Sequence, residues 1–361
     1  MVREPMQEHG RWRRAIACVL AVVVLATSGA AIAPTAANAV RAPMAVGPFG
    51  STVVFDGHGF GHGIGLSQYG ALGYALAGAT WPAITNHYYG GTVAGTIDGT
   101  PYISVRLTAL DGAGQTAVVS PAGALQTDAL PGVTWTTIVA RAIGNGQYKL
   151  WGHRTVPACP GIGESLDNPA TGWEVISEVQ PGPIGFLPTV DTIATNDLSS
   201  LLGVCEGTAV RSHRGEIYAA TSGGALRTVN VQPVESYLRS VVGAEVPWSW
   251  GNEGGGAGMH ALYAQAVAAR SYALAQNRYT YNGPPNSPLK IASATCDTQA
   301  CQVYRGVALR TSVAAGFSGD AIYEFPNTDW AVGFTAGQIR RWPDGRVVST
   351  MYSSSSGGYT A

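Results

Sequence analysis

"VESYLRSVVGAEVPWSW", residues 234–250, is the stretch on which the reading of the chain turns. Leu238, Val241, Val242 and Glu245 recur at i, i+3, i+4 and i+7, the period of one helical face. Pro233 suits a first helical position and Pro247 cannot continue the helix, so the spacing predicts a helix ending near Glu245. Glu245 is the odd member of an apolar stripe, and Val246, Trp248 and Trp250 follow it. Desolvation favours the neutral carboxylic acid, and the partial negative charge of a helix C-terminus pushes the same way. Burial of this kind can lift a glutamate to a pKa of about 6, where it can donate a proton near neutral pH.

Beyond a glycine-rich loop (251–258), "MHALYAQAVAARSYALAQ" (259–276) predicts a strong helix. Leu262, Ala266, Ala269 and Ala273 give it a small-residue stripe that another element can approach closely. The structural alternative for Glu245 is an ion pair with an arginine such as Arg270. Glu235 reads as a solvated acid at the helix start, and Asp297 and Glu324 stand at no motif spacing. A lone acid argues against two-carboxylate glycoside hydrolysis. It suits a reaction in which one glutamate protonates the leaving oxygen and then takes a proton from the sugar's own hydroxyl, closing an internal ring.

The remainder of the chain bounds this reading. Arg11, Arg13 and Arg14 precede an apolar run (15–33), and Ala37-Asn38-Ala39 is an A-x-A site, so residues 1–39 read as a secretory signal peptide. A transmembrane anchor is the alternative. Removing them takes four Arg and two Glu from 21 basic and 22 acidic residues, which leaves 17 against 20 and a net charge of −3. No nucleic-acid footprint is present. Cys159, Cys205, Cys296 and Cys301 then remain, an even count that suggests two disulfides outside the cytoplasm. Cys159–Cys205 with Cys296–Cys301 is the natural pairing; the other two pairings stay open.

Upstream, "GHGFGHGIGLSQYGA" (57–71) alternates glycine with other residues between a strand (51–55) and a helix from about Ser67 to Ala77. Bare backbone there lets a polysaccharide or a packed helix approach to main-chain distance. His58 and His62 would face the cleft, with Ser67, Gln68 and Tyr69 offering donors and acceptors. A dinucleotide loop fails for lack of a βαβ unit. Two alternatives remain: a metal site at His58 and His62 with His87, and a buried His62 that shapes the loop. Residues 100–225 are rich in short β-branched and aromatic runs between Gly, Pro and Asp turns. The tail "TMYSSSSGGYTA" (350–361) starts like a strand and stops, which reads as a chain cut short.

"VNVQPVESYLRSVVGAEVPWSW" (229–250), "HALYAQAVAARSYALA" (260–275), "CDTQACQVYRG" (296–306) and "MYSSSSGGYT" (351–360) together resemble the SpoIID/LytB family. "GHGFGHGIGLSQYGALGYALAGATWPAITNHYYGGT" (57–92) is similar to the closing signature of that domain, here placed first. The resemblance implies an α+β fold: a SpoIID-like mixed α/β catalytic domain with a β-rich inserted segment. On that basis 1–39 is the signal peptide, 40–50 a linker, 51–95 the glycine-rich segment, 96–215 the β-rich insertion or subdomain, and 216–361 the domain proper. It implies a secreted, peptidoglycan-active protein. The sporulation members are lytic transglycosylases that cut peptide-stripped glycan strands, with the acid/base at Glu245; the amidase-enhancer members modulate a wall amidase. Substrate contacts are then expected at His58, Gly61, His62, Gly63, Ser67, Gln68, Tyr69, Trp248, Gln265, Arg270, Gln302 and Ser356. The expected partners are glycan strands and a cell-wall amidase, with no nucleic acid. Some relatives bind zinc through a histidine and two cysteines near 290–301. Here His260 is the only upstream histidine candidate, so a disulfide is preferred and no cofactor is expected, with zinc the alternative.

Overall fold

The computed structural model describes residues 42–46, 51–55, 57–155, 158–161, 163–276, 295–311 and 321–360. The signal-peptide reading of residues 1–39 lies outside them. Residues 42–46, read from sequence as part of a tether, instead pair antiparallel with 51–55, from Ala42 opposite Phe55 to Val46 opposite Ser51. Among the described residues no helix is long and apolar enough to cross a membrane.

The fold is mixed α+β. One sheet has eight antiparallel strands in the order 174–181, 147–153, 137–144, 115–119, 202–206, 209–213, 308–310, 321–322. The second has seven, in the order 295–296, 102–106, 225–233, 216–222, 184–188, 125–127, 130–135. Only its edge strand 295–296 runs parallel to its neighbour. Val118, Ile138, Leu202 and Val204 from the first sheet and Val105, Phe186, Ile217 and Ala219 from the second are buried in one apolar cluster. Thr116 and Thr228 share a buried hydroxyl–hydroxyl hydrogen bond of 2.8 Å between the sheets. The β-rich stretch 96–215 is therefore built into the same sheets as strands from residues 216–322, and Cys159–Cys205 ties its looped part to a sheet strand.

The helices assemble around one central rod. Helix α1 spans Gln68–Leu76 and α2 Trp81–Tyr88; α3 spans Val234–Glu245, α4 Met259–Gln276 and α5 Pro326–Phe334. Ser67 caps α1, its Oγ accepting from the Gly70 N–H. Helix α4 has no solvent-facing polar stripe, and its polar side chains Gln265, Arg270 and Ser271 are buried with the apolar ones. Leu262, Ala266, Ala269 and Ala273 are buried, and so are Ala264, Val267 and Ala268. Its small side chains let α1, α2, α3, α5 and strand 338–341 pack against it. Helix α3 buries Tyr237, Leu238, Val241 and Val242 and leaves Glu245 at its last turn half-buried.

Residues 57–92 lie against residues 351–357. Leu66–Ser67 pairs in parallel with Tyr352–Ser353, and Phe60 exchanges both backbone hydrogen bonds with Ser355, at 2.8 and 3.1 Å. The glycines answer to this contact. Gly65 has φ +70°, and a Cβ there would stand 2.1 Å from the Met351 carbonyl oxygen; one at Gly59 would stand 2.8 Å from that of Ser355. What comes to main-chain distance is the chain's own later segment.

Candidate functional site

A cleft of about 500 Å³ opens where five separate stretches meet. Phe60, Gly61, His62 and Gln68 line it from the glycine-rich segment, Ala244 and Glu245 from the end of α3, and Met351–Ser354 from the strand paired with Leu66–Ser67. Tyr272, Gln299–Cys301, Val303 and Arg305 complete the wall. Glu245 is the only carboxylate among these lining residues.

Glu245 is held by neutral donors. The Val303 N–H donates to its Oε1 at 2.9 Å, and the Tyr352 hydroxyl bonds the same carboxyl. Tyr352 is in turn fixed by Gln302, whose Nε2 donates to the phenol at 2.9 Å and to the Ala269 carbonyl at 3.2 Å. The Tyr237 hydroxyl donates to Gln302 Oε1 at 3.1 Å. This chain leaves the Tyr352 proton free to point at Glu245. Burial pushes the Glu245 carboxyl above the usual carboxylate range; the Val303 N–H, the Tyr352 hydroxyl and the Arg305 charge pull it back in part. Burial, reinforced by the Glu245 charge, also drives the Tyr352 and Tyr237 phenols well above their ordinary value, so both stay protonated donors.

Of the sequence-nominated residues, Gly61, His62, Gln68 and Glu245 meet in this cleft. His62 is exposed rather than buried, and its Nδ1 accepts from the Ile64 N–H at 3.0 Å, which puts the neutral ring's proton on Nε2. Ser67, Tyr69 and Ser356 line a separate hollow of about 630 Å³ with Tyr74, His87 and Tyr359. There the Ser356 N–H donates to Ser67 Oγ, and Tyr69 stands edge-on to Trp250 at 5.0 Å. His58 and Gly63 line neither hollow. Trp248 stacks on Phe325 at 5.9 Å, outside the cleft.

Three nominated contacts are structural instead. Arg270 is fully buried, and its Nε and Nη2 donate to the two carboxylate oxygens of Glu235 at 2.8 and 2.6 Å. Its remaining donors reach the carbonyls of Val332 and Gln338. Arg270 therefore cannot reach a substrate, and it is not the partner of Glu245. Glu235 is correspondingly not a free surface acid: the Gly337 N–H also binds its Oε1. Gln302 is buried in the relay that sets Tyr352. Gln265 is buried behind Gln68, with Gln68 Nε2 donating to its Oε1 at 3.5 Å.

Cys296 and Cys301 are bonded to each other, as are Cys159 and Cys205. His260 is engaged elsewhere, its Nδ1 accepting from the Trp81 N–H. Among the described residues no three His, Cys, Asp or Glu side chains converge as a metal set. His87 bonds the Tyr74 hydroxyl at 3.2 Å, so the proposed trio with His58 and His62 does not gather. Sequence reading missed Tyr352 and Arg305. Both belong to quoted motifs, but neither has a spacing that points at Glu245.

Residues 222–342 match the family model for SpoIID, Stage II sporulation protein. The chain is also similar to the "Amidase enhancer" of Bacillus subtilis (strain 168), 33% identical over 123 residues, which is 34% of this chain. The chain covers only 12% of that relative's length. No solved structure matches. The family match includes Glu245, Gln302 and Arg305 and leaves out residues 57–92 and 351–356, which form the facing wall of the cleft.

Proposed function

The chain belongs to the SpoIID/LytB family through residues 222–342, and from that premise we propose that it is a secreted lytic transglycosylase of peptidoglycan. Its substrate is the peptide-stripped glycan strand, and the bond cleaved joins C1 of a muramic residue to O4 of the next glucosamine. The observation that carries this reading is the setting of Glu245: half-buried, on an open cleft, bonded by an N–H and a phenol, with no ion-pair partner among the described residues. A carboxyl so placed stays protonated to higher pH than a solvated one.

Glu245 first gives its proton to the glycosidic O4 as the C1–O4 bond breaks, leaving positive charge at C1 and a carboxylate on the protein. The muramic residue's own O6 then bonds to C1, and the Glu245 carboxylate takes the O6 proton. The products are a free 4-hydroxyl and a 1,6-anhydro ring, and Glu245 ends protonated as it began. The cycle consumes no water, which suits a cleft that holds no second carboxylate among the described residues to activate one. Tyr352 stabilises the carboxylate formed between the two steps. The expected result is 1,6-anhydro ends, seen by mass spectrometry, when the purified protein meets peptide-free glycan strands. Wild-type levels of such ends from Glu245→Gln would overturn the assignment.

A second reading, favoured by the similarity to a protein named amidase enhancer, is a non-catalytic wall-binding protein that stimulates an amidase. In that case the Glu245→Gln variant would raise amidase release of stem peptides as well as wild type does, and no anhydro ends would form.

A further inference from the structure

Among the described residues Arg305 is the one arginine or lysine lining the Glu245 cleft, and it also lines a smaller neighbouring cavity of about 290 Å³. The other charges of that smaller cavity are already satisfied within the protein. Arg211 grips Glu206 through two bonds, Nε to Oε1 at 2.7 Å and Nη2 to Oε2 at 2.9 Å. Asp297 accepts from the Thr108 N–H and, at 2.6 Å, from the Thr108 hydroxyl. Arg305 differs. Its main chain is pinned, with the N–H donating to Ser240 Oγ at 3.1 Å and the carbonyl accepting from Arg211 Nη1 at 3.1 Å. Its guanidinium lies over the Tyr323 ring, 5.6 Å from the centroid, and the side chain is exposed. No carboxylate among the described residues forms an ion pair with it.

A rigidly based guanidinium with its donor fork open is built to take a planar anion through two parallel hydrogen bonds. We propose that Arg305 binds a free carboxylate on the sugar seated beside Glu245, namely the carboxylate of the lactyl ether on O3 of a muramic residue. This rests on the glycan-cleaving reading and adds its selectivity. With a stem peptide attached, that carboxyl is a neutral amide and offers the guanidinium no charge. With the peptide gone it is an anion. Arg305 thereby makes the cleft choose stripped strands by charge, as well as by the room a peptide would need. Because Glu245 begins the cycle protonated, it does not repel the incoming anion.

The test uses the full chain carrying Glu245→Gln, so that binding is measured without turnover. Its three probes are a peptide-free muramyl-glucosaminyl tetrasaccharide, the same sugar with its lactyl carboxyls converted to amides, and chitotetraose, which has no lactyl group. The free acid should bind about tenfold or more tighter than the amide, the gain typical of one charge-assisted pair. Adding Arg305→Gln should erase that preference by weakening the acid alone, and Arg305→Lys should keep part of it. The preference should also shrink as salt rises. If the double variant keeps the preference, or loses affinity for all three sugars equally, Arg305 does not read the carboxylate. If none of the three sugars binds the Glu245→Gln chain, the glycan reading falls as well.

Discussion

Helix α3 carries a glutamate at each end, and the protein treats the two in opposite ways. Glu235, in the first turn, is clamped by a fully buried guanidinium and by the Gly337 N–H, so it serves as a structural anchor. Glu245, in the last turn, is bonded among the described residues by an N–H and a phenol while facing a cleft. One end of the helix is bolted to α4 and α5, and the other presents a carboxyl that can change protonation state. The same helix thus combines a side chain that anchors it with one left open to the cleft at its tip.

The largest effect expected from breaking this contrast is at the tip. Glu245→Gln should cut formation of anhydro ends by about 10²–10⁴-fold, the usual worth of a general acid–base group, measured as initial rate on peptide-free strands. At the bolted end, Glu235→Gln leaves Arg270 buried without its counter-charge. It should lower unfolding stability by about 3 kcal/mol in denaturant titration, with the rate per folded molecule little changed. Tyr352→Phe removes one donor to the Glu245 carboxylate, which raises that carboxyl further. The alkaline limb of the rate profile should move up by as much as about one pH unit, since one net hydrogen bond is worth about 1 kcal/mol. The smallest effect concerns stability. A carboxyl raised in the folded state favours folding below its unfolded pKa, and that advantage is lost as pH rises through the folded value. Glu245→Gln should therefore match wild type in melting temperature at about pH 4 and equal or exceed it at about pH 8. A variant that is less stable at the higher pH would mean that the charged form is the one the cleft prefers.

Local chemistry made much of this legible in advance. The i, i+3, i+4, i+7 stripe places Leu238, Val241 and Val242 inside and Glu245 at the margin, and Ser67 before "QYGAL" marks the start of a helix. The mixed α+β class comes from the family resemblance. Residues whose roles depend on partners far along the chain were not legible. Arg270 looked available to Glu245 because helix spacing says nothing about which helix crosses which; its true partner is at the other end of α3. Gln302 and Tyr352 become a relay only when three distant stretches meet. The alternating glycines announced a close approach without saying by what, and it is the main chain of 351–357 that fills the space. The membership of strands from 102–213 in the same two sheets as residues 216–322 is likewise a matter of register between distant strands.

The parallel pairing of Leu66–Ser67 with Tyr352–Ser353 has a temporal meaning. A ribosome delivers the first of these pairs long before the second, by on the order of tens of seconds at ordinary elongation speeds. Until residues 351–356 emerge, one side of the trough does not exist and Tyr352 is not there to steady the acid. The cleft around Glu245 is thus unfinished through the synthesis of every residue between these two pairs, and closes only when the later segment docks onto the early one.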